Sequence, residues 1–256
     1  MRHSRILRRW AALAAIALLL GIPAQAYYHY VYYQSRNAPF NPVYAQFNLA
    51  ALSNNTVSFY VSDSGPSVYY PNDSFGSVLG EIKQALAVWN SVSSSNLRVA
   101  FGGLESQSQA PQNTPGADVV FDDLPGLLGA GTPNLPVTPT VVNGPNGPFV
   151  PISRSTVILT SNTNTGPGQS YLESYFTTAV HEIGHALGLQ HTWTGAAMSQ
   201  DVIRNTSRAR PIDVDDIASL SVLYGAPGWA ANFGSISGSV AFTTGGGVSQ
   251  IGRAHV

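Results

Sequence analysis

The chain has 256 residues, enough to bury a sizeable core, and its near balance of basic and acidic side chains gives a formal net charge of −1. It has no basic patch suited to nucleic acid, and without cysteine it can form neither a disulfide nor a lipid-anchored N-terminus. Residues 1–26 are typical of a secretory signal, with four Arg, an apolar run from Trp10 to Ile22 and a small-residue cleavage motif that ends at Ala26. We therefore expect export to the periplasm or the extracellular space, cleavage after Ala26, and no membrane span in the mature chain; an uncleaved anchor is the alternative.

The first part of the mature chain predicts an extended segment, then a strand, then a helix. Residues 27–54 are rich in Tyr and Asn, and we interpret them as a lead-in that is weakly structured or wrapped on the domain. Val57 to Val61 alternates in the manner of a strand. Residues 74–93 favour a helix, capped by Asp73 or Ser74. Its apolar residues recur at helical spacing and predict one buried stripe, made of Ile82, Ala85, Leu86 and Trp89.

The middle of the chain predicts strands separated by a long loop. Arg98 to Phe101 and Asp118 to Phe121 have strand-like composition. Residues 122–153 carry many Pro and Gly without a clear period, so we expect a long loop there. The next strand, residues 155–160, is our candidate for the sheet edge that recruits an extended peptide.

A helix predicted over residues 171–188 carries the most informative motif, H-E-x-x-H-x-x-G-x-x-H at residues 181–191. Residues four apart share a helix face, so His181 and His185 can offer two imidazoles to one metal ion. The chain can turn back at Gly188, where glycine tolerates a left-handed conformation, and this makes His191 available as a third ligand. Three neutral imidazoles leave one position open, as in a catalytic rather than a structural zinc site.

Glu182 stands beside this metal-binding face, where its carboxylate can reach a zinc-activated water. In that position it would serve as a general base. The motif therefore predicts hydrolysis of internal peptide bonds without a covalent intermediate.

The C-terminal part of the sequence predicts a third helix, followed by a segment with strand-like composition. Asp213 is a plausible N-cap, Gly225 a plausible end, and Ile217, Leu220 and Tyr224 a buried face. Residues 226–256 are strand-like with a Gly-rich turn. We interpret them as a short β tail that resembles the start of an Ig-like or carboxypeptidase-regulatory-like module, with a floppy tail as the alternative.

The chain resembles the metzincin zinc endopeptidases and, within them, the matrixins or matrix metalloproteinases. The similarity covers residues 55–225 and is carried by the zinc motif at 181–191, Ala196-Ala197-Met198, residues 215–225, helix 74–93 with Trp89, and residues 117–121. The resemblance implies an α+β catalytic domain with a twisted mixed sheet, three main helices and zinc in a cleft. It also implies that Met198 forms the Met-turn beneath the metal, packing by shape rather than by ligation.

Two departures from the family pattern matter. Latency through a propeptide cysteine is impossible, because the chain has no cysteine. Histidines outside the motif are too few and too near the termini for a second zinc site of histidines. Calcium is conceivable at Asp118, Asp122 and Asp123, with a solvated turn as the plainer interpretation.

The sequence thus predicts a secreted zinc endopeptidase that binds its protein or peptide substrate as an extended strand. The alternative from another class is an inactive metzincin-fold protein that serves in adhesion or matrix binding. The intact Glu182 favours the enzyme. The oligomeric state and the physiological substrate leave no mark in the sequence.

Overall fold

The computed structural model describes residues 27–35, 37–38, 40–106, 114–125, 127–200 and 204–232. The predicted signal at 1–26 and the strand-like part of the predicted tail, residues 233–256, lie outside these described residues. Within the described part there are three α-helices: α1 (Phe75–Trp89), α2 (Glu173–Ala186) and α3 (Val214–Tyr224). The strands are β1 (Tyr28–His29), β2 (Val31–Tyr33), β3 (Pro42–Gln46), β4 (Thr56–Ser62), β5 (Arg98–Glu105), β6 (Ala117–Asp122), β7 (Gly129–Asn134), β8 (Val142–Gly144), β9 (Gly147–Pro151), β10 (Arg154–Thr160) and β11 (Leu189–Gln190).

The main sheet has five strands in the order β5-β4-β6-β10-β7. Its first four strands run parallel to one another, and β7 joins β10 in antiparallel register. A parallel set with an antiparallel edge makes the sheet mixed. The predicted α+β class, with a mixed sheet and three helices, is therefore confirmed.

Helix α1 forms where the apolar stripe predicted it, although it ends at Trp89 rather than at residue 93. Ser74 is the cap: its hydroxyl accepts the N–H of Ser77, while the Ser77 hydroxyl accepts the N–H of Ser74. All four predicted stripe residues are buried. The Trp89 indole donates a hydrogen bond of 3.1 Å to the Val180 carbonyl, which ties α1 to α2.

The expectation of a structureless loop over residues 122–153 was wrong, because β7, β8 and β9 lie in this stretch. Strand β7 reads Gly-Ala-Gly-Thr-Pro-Asn, without the apolar alternation that marks a strand. Its glycines serve close packing instead. A Cβ at Gly131 would overlap the Glu182 carbonyl oxygen on α2, and a Cβ at Gly129 would lie 2.6 Å from Glu182 Cγ.

The prediction that residues 155–160 form the sheet edge was also wrong. Strand β10 lies inside the sheet, between β6 and β7, and most of its residues are buried. Its apolar Val-Ile-Leu run suits a strand inside a sheet, with Val157 and Leu159 buried and Ile158 partly buried. The edge position belongs to β7.

The lead-in residues 27–54 contribute strands to two smaller sheets. Strand β1 pairs with β11, directly before the third histidine of the motif. Strands β2 and β3 belong to a second sheet in the order β2-β3-β9-β8. The lead-in thus packs against elements that come more than 100 residues later in the chain.

Helix α3 begins and ends where the sequence predicted. The Asp213 carboxylate caps its N-terminus, and the helix stops before Gly225. The Tyr224 hydroxyl donates a 2.7 Å hydrogen bond to the Leu187 carbonyl at the end of α2. Since α2 carries two of the motif histidines, this bond anchors α3 to the candidate site.

Candidate metal centre

Helix α2 presents His181 and His185 on one buried face. Both side chains are almost fully buried, and their ring centroids are 4.6 Å apart. The sequence placed these residues four apart, one helical turn, and the fold turns that face toward strand β7.

A chain reversal at Gly188 brings in the third imidazole. Gly188 has a φ of +101°, a backbone region that favours glycine, and a Cβ there would lie 2.7 Å from the Ala45 carbonyl oxygen. The Gly188 N–H donates to the His185 carbonyl, closing the end of α2. The reversal predicted from the motif is therefore present, and it directs His191 toward the other two histidines.

The three imidazoles meet through their Nε2 atoms. Nε2 of His191 lies 3.1 Å from Nε2 of His185 and 3.2 Å from Nε2 of His181. Two nitrogens that bind one tetrahedral zinc ion, each at about 2.1 Å, are separated by about 3.4 Å. The spacing therefore fits a single zinc ion. Among the residues that the structure describes, these three form the one group of His, Cys or acidic side chains placed to hold a metal.

Hydrogen bonds on the far side of two rings fix their tautomers. Nδ1 of His181 donates to the Ala197 carbonyl at 2.6 Å, and Nδ1 of His185 donates to the Leu189 carbonyl at 2.8 Å. With Nδ1 protonated, each neutral ring carries its lone pair on Nε2, facing the centre. Burial lowers the pKa of His185 to about 4 and that of His181 well below its usual value, which favours this neutral, ligating form.

Glu182 lies beside the triad in a buried position. Its side chain is 6% exposed. Burial raises the pKa of Glu182 to about 7, against the opposing effects of the Arg204 guanidinium and of a hydrogen bond from the Gly131 N–H. A carboxylate with a pKa near neutrality is well matched to accept and return a proton at physiological pH.

Met198 is buried beneath α2. Its Sδ atom approaches Gly184 so closely that a Cβ there would collide with it, and the Trp89 ring closes the same space. Gly184 lies on α2 between the two histidines of that helix. Met198 therefore supports the helix by packing.

Asp216, at the start of α3, holds the segment that contains Met198. Its carboxylate accepts the backbone N–H groups of Ala197 at 2.8 Å, Met198 at 3.0 Å and Asp213 at 2.8 Å. Burial raises the pKa of the Asp216 carboxyl, although the three donors favour its charged form. The Ala197 carbonyl in turn accepts from His181, so Asp216 connects α3 to the metal centre.

Two site residues were missed by sequence reasoning. Tyr30, from the lead-in, and Arg204 line the cavity in which Glu182 and the three imidazoles lie, a cavity of about 350 Å³. No local pattern marks either residue, because both reach the cavity through tertiary packing.

The acidic residues considered for calcium do not converge. Both oxygens of Asp118 accept hydrogen bonds from the Arg154 guanidinium, which also pairs with Glu105. Asp122 accepts the N–H of Asp123, as in an ordinary turn. No sequence pattern indicates that Asp118 faces a buried arginine.

Comparison with known proteins agrees with this geometry. The sequence model described as matrixin matches residues 54–225, more than half of the chain, whereas no curated protein matches. One similar solved structure is high choriolytic enzyme 1, a hatching enzyme zinc-protease from the medaka fish Oryzias latipes. It is 14% identical, the match covers 68% of this chain and 92% of that chain, and the TM-score is 0.34. None of the described helices is long and apolar enough to cross a membrane. The family match shows that the chain belongs to the matrixins, metzincin zinc endopeptidases of the matrix metalloproteinase type.

Proposed function

We propose that this matrixin is a secreted endopeptidase in which His181, His185 and His191 hold the catalytic zinc and Glu182 is the general base. The convergence of three Nε2 atoms beside a buried carboxylate is the observation that carries the proposal. The peptidase domain is assigned to residues 55–225, after a signal at 1–26 and the lead-in at 27–54. Met198 is the Met-turn residue of this domain.

When bound, zinc acidifies a water molecule and polarises the scissile carbonyl. The protein supplies the remaining functions. Glu182 accepts the proton of the attacking water and later donates it to the leaving amine, a double role suited to its pKa of about 7. The carbonyls of Ala197 and Leu189 keep two imidazoles in the required tautomer and orientation.

The substrate is proposed to bind as an extended strand along β7. This strand pairs with β10 on one side, and no other described strand pairs with it. Its outer edge can therefore add a peptide strand, as in other cases of β-strand addition, once the substrate displaces the contacts of the Gly131 N–H with Glu182 and of the Gly131 carbonyl with the Tyr30 hydroxyl. Because Gly129 and Gly131 let β7 lie directly on α2, a peptide on this edge passes close to Glu182.

The alternative, an inactive adhesion protein, predicts the same fold but no turnover. The deciding experiment measures zinc content and cleavage of quenched peptides by the mature protein and by Glu182→Gln. We expect one zinc per chain in both, and a loss of at least about 100-fold in kcat for the variant, because general base catalysis contributes 10²–10⁴-fold. A His185→Ala variant should lose the metal.

Two results would contradict the proposal. Undiminished turnover by Glu182→Gln would remove its assigned role, and wild-type protein that holds zinc but cleaves nothing would favour the adhesion alternative. Export is tested separately, by N-terminal sequencing of protein recovered from outside the cytoplasm. Mature chains that begin at Tyr27 are the expected result.

A further inference from the structure

Arg204 forms part of the cavity wall next to the candidate metal centre. It lines the same cavity as Glu182 and the three imidazoles. Its charge acts on these groups, because it lowers the pKa of Glu182 and of each histidine. A cation is therefore held where a substrate must bind.

Unlike three other described arginines, Arg204 has no carboxylate partner among the described residues; Arg98, which also has none, donates to two backbone carbonyls instead. Arg154, Arg208 and Arg210 each form an ion pair with an Asp or Glu. Arg204 forms no ion pair with any residue that the structure describes, and its Nε atom is buried without a hydrogen-bond partner. Burial lowers the pKa of Arg204, a sign that the charge is partly removed from water. Such a charge is costly unless a partner arrives.

The acidic groups near Arg204 in the described part of the chain do not fill this role. Asp216 already accepts three backbone N–H groups. Glu182 makes no ion pair with Arg204, so the guanidinium stands away from the carboxylate that would activate water. A group that stabilised charge on the scissile carbonyl would have to lie about 3 Å from that oxygen. Arg204 is instead placed to contact the side chain or terminus of a substrate residue near the scissile bond.

We propose that Arg204 is a specificity residue that binds a carboxylate of the substrate, so that this protease prefers an acidic group close to the scissile bond. The inference rests on the proposed function and adds its substrate class. The carboxylate can come from an Asp or Glu side chain or from the free C-terminus of a short peptide. A planar guanidinium can bind either with two parallel hydrogen bonds, and the partly desolvated setting strengthens them.

The test uses quenched peptides that differ in one group. In one set, Glu replaces Gln at each of three positions on either side of the scissile bond, with amidated C-termini. In the other set, a free C-terminal carboxylate replaces the amide at increasing distance from the scissile bond. We expect kcat/KM to favour the carboxylate by about 10- to 100-fold at one position, the range expected for a hydrogen bond to a charged group. The set in which this occurs identifies the source of the carboxylate.

Three variants connect the preference to the residue. Arg204→Gln should reduce the preference to nearly 1, and Arg204→Lys should retain part of it. Arg204→Glu should favour Lys over Gln at the same position, a gain that misfolding cannot imitate. The matched control is Arg210→Gln, since Arg210 lies in the same segment, is exposed and pairs with Asp213. It should leave the preference unchanged.

The outcomes separate this inference from the proposed function. If the wild-type enzyme cleaves Gln and Glu peptides, and acid and amide peptides, equally well at every position, the inference is wrong and the endopeptidase stands. If Arg204→Gln lowers kcat/KM equally for all peptides, Arg204 acts on the scissile carbonyl, and the inference is again wrong. If the zinc-loaded wild-type enzyme cleaves no peptide in either set, the proposed function itself fails.

Discussion

Asp216 is the residue whose removal best tests the connection between the fold and the metal centre. In Asp216→Ala, the Ala197 and Met198 N–H groups lose their acceptor in a buried setting. Each orphaned buried donor costs about 1–3 kcal/mol, so the two together should lower the free energy of unfolding by about 4 kcal/mol. The third donor, on Asp213, is only partly buried and can turn to water. Against a total stability of about 5–15 kcal/mol, the variant should still fold.

The same change should weaken zinc binding. The Ala197 carbonyl, which orients His181 at 2.6 Å, belongs to the peptide segment that Asp216 holds. Loss of such an indirect support typically lowers metal affinity by about 10- to 100-fold. Urea unfolding of chelator-stripped protein gives the stability, and competition with a chromophoric chelator gives the zinc affinity.

Asp215→Ala is the matched control, because it removes a neighbouring carboxylate whose hydrogen bond from the Thr192 hydroxyl is long at 3.5 Å. We expect it to change stability by about 0.5 kcal/mol or less and to leave zinc affinity unaltered. If Asp216→Ala matched this control in zinc affinity, the Ala197 carbonyl would not depend on Asp216. The proposed connection would then be refuted, whatever the loss of stability.

Two further predictions concern strand packing and acid stability. Gly131→Ala should push β7 off α2, because the new Cβ would lie 2.7 Å from His185 Cβ, and should lower the free energy of unfolding in urea by about 3 kcal/mol. Gly80→Ala is the control: this helical position is open, so the change should be neutral or stabilising. If both variants changed the free energy of unfolding equally, the packing argument would be wrong. His29 is buried with a pKa of about 4, below the 6.5 of an exposed histidine, so the unfolded chain takes up the proton first. As the pH falls from 7 to 4, this residue should therefore lower the free energy of unfolding of the metal-free protein by up to about 3 kcal/mol. In His29→Gln the free energy of unfolding should fall less steeply over the same pH range. If it fell in parallel in the two proteins, the assigned role of His29 would be wrong.

The parts of the fold that the sequence predicted are those set by local rules. The stripe on α1, the cap at Asp213 and the reversal at Gly188 each follow from spacing or from one backbone requirement. The metal triad is also set by local rules, since two ligands share a helix face and the third follows the chain reversal at Gly188. Such features need no knowledge of distant segments.

The parts that the sequence did not predict depend on contacts between distant segments. Strand β7 has no apolar alternation, because what matters there is the absence of side chains where it meets α2. The sequence predicts β10 at the edge of the sheet because its neighbour in the sheet, β7, has the composition of a loop. Arg204 and Tyr30 reach the cavity from segments with no distinguishing pattern. Asp118 accepts a hydrogen bond from Arg154, which lies 36 residues later in the chain, and no local pattern predicts that pair.

The short ladder between β1 and β11 bears on how the protein must be produced. Tyr28 pairs with Gln190, and the Tyr30 N–H donates to the Gly188 carbonyl at 2.9 Å. The start of the proposed mature chain therefore supports the chain reversal at Gly188 that presents His191. Cleavage only a few residues after Ala26 would remove the pairing between β1 and β11. The resulting enzyme would bind zinc poorly, although its zinc motif would be intact. A bulky affinity tag fused in front of Tyr27 would crowd the same corner of the molecule.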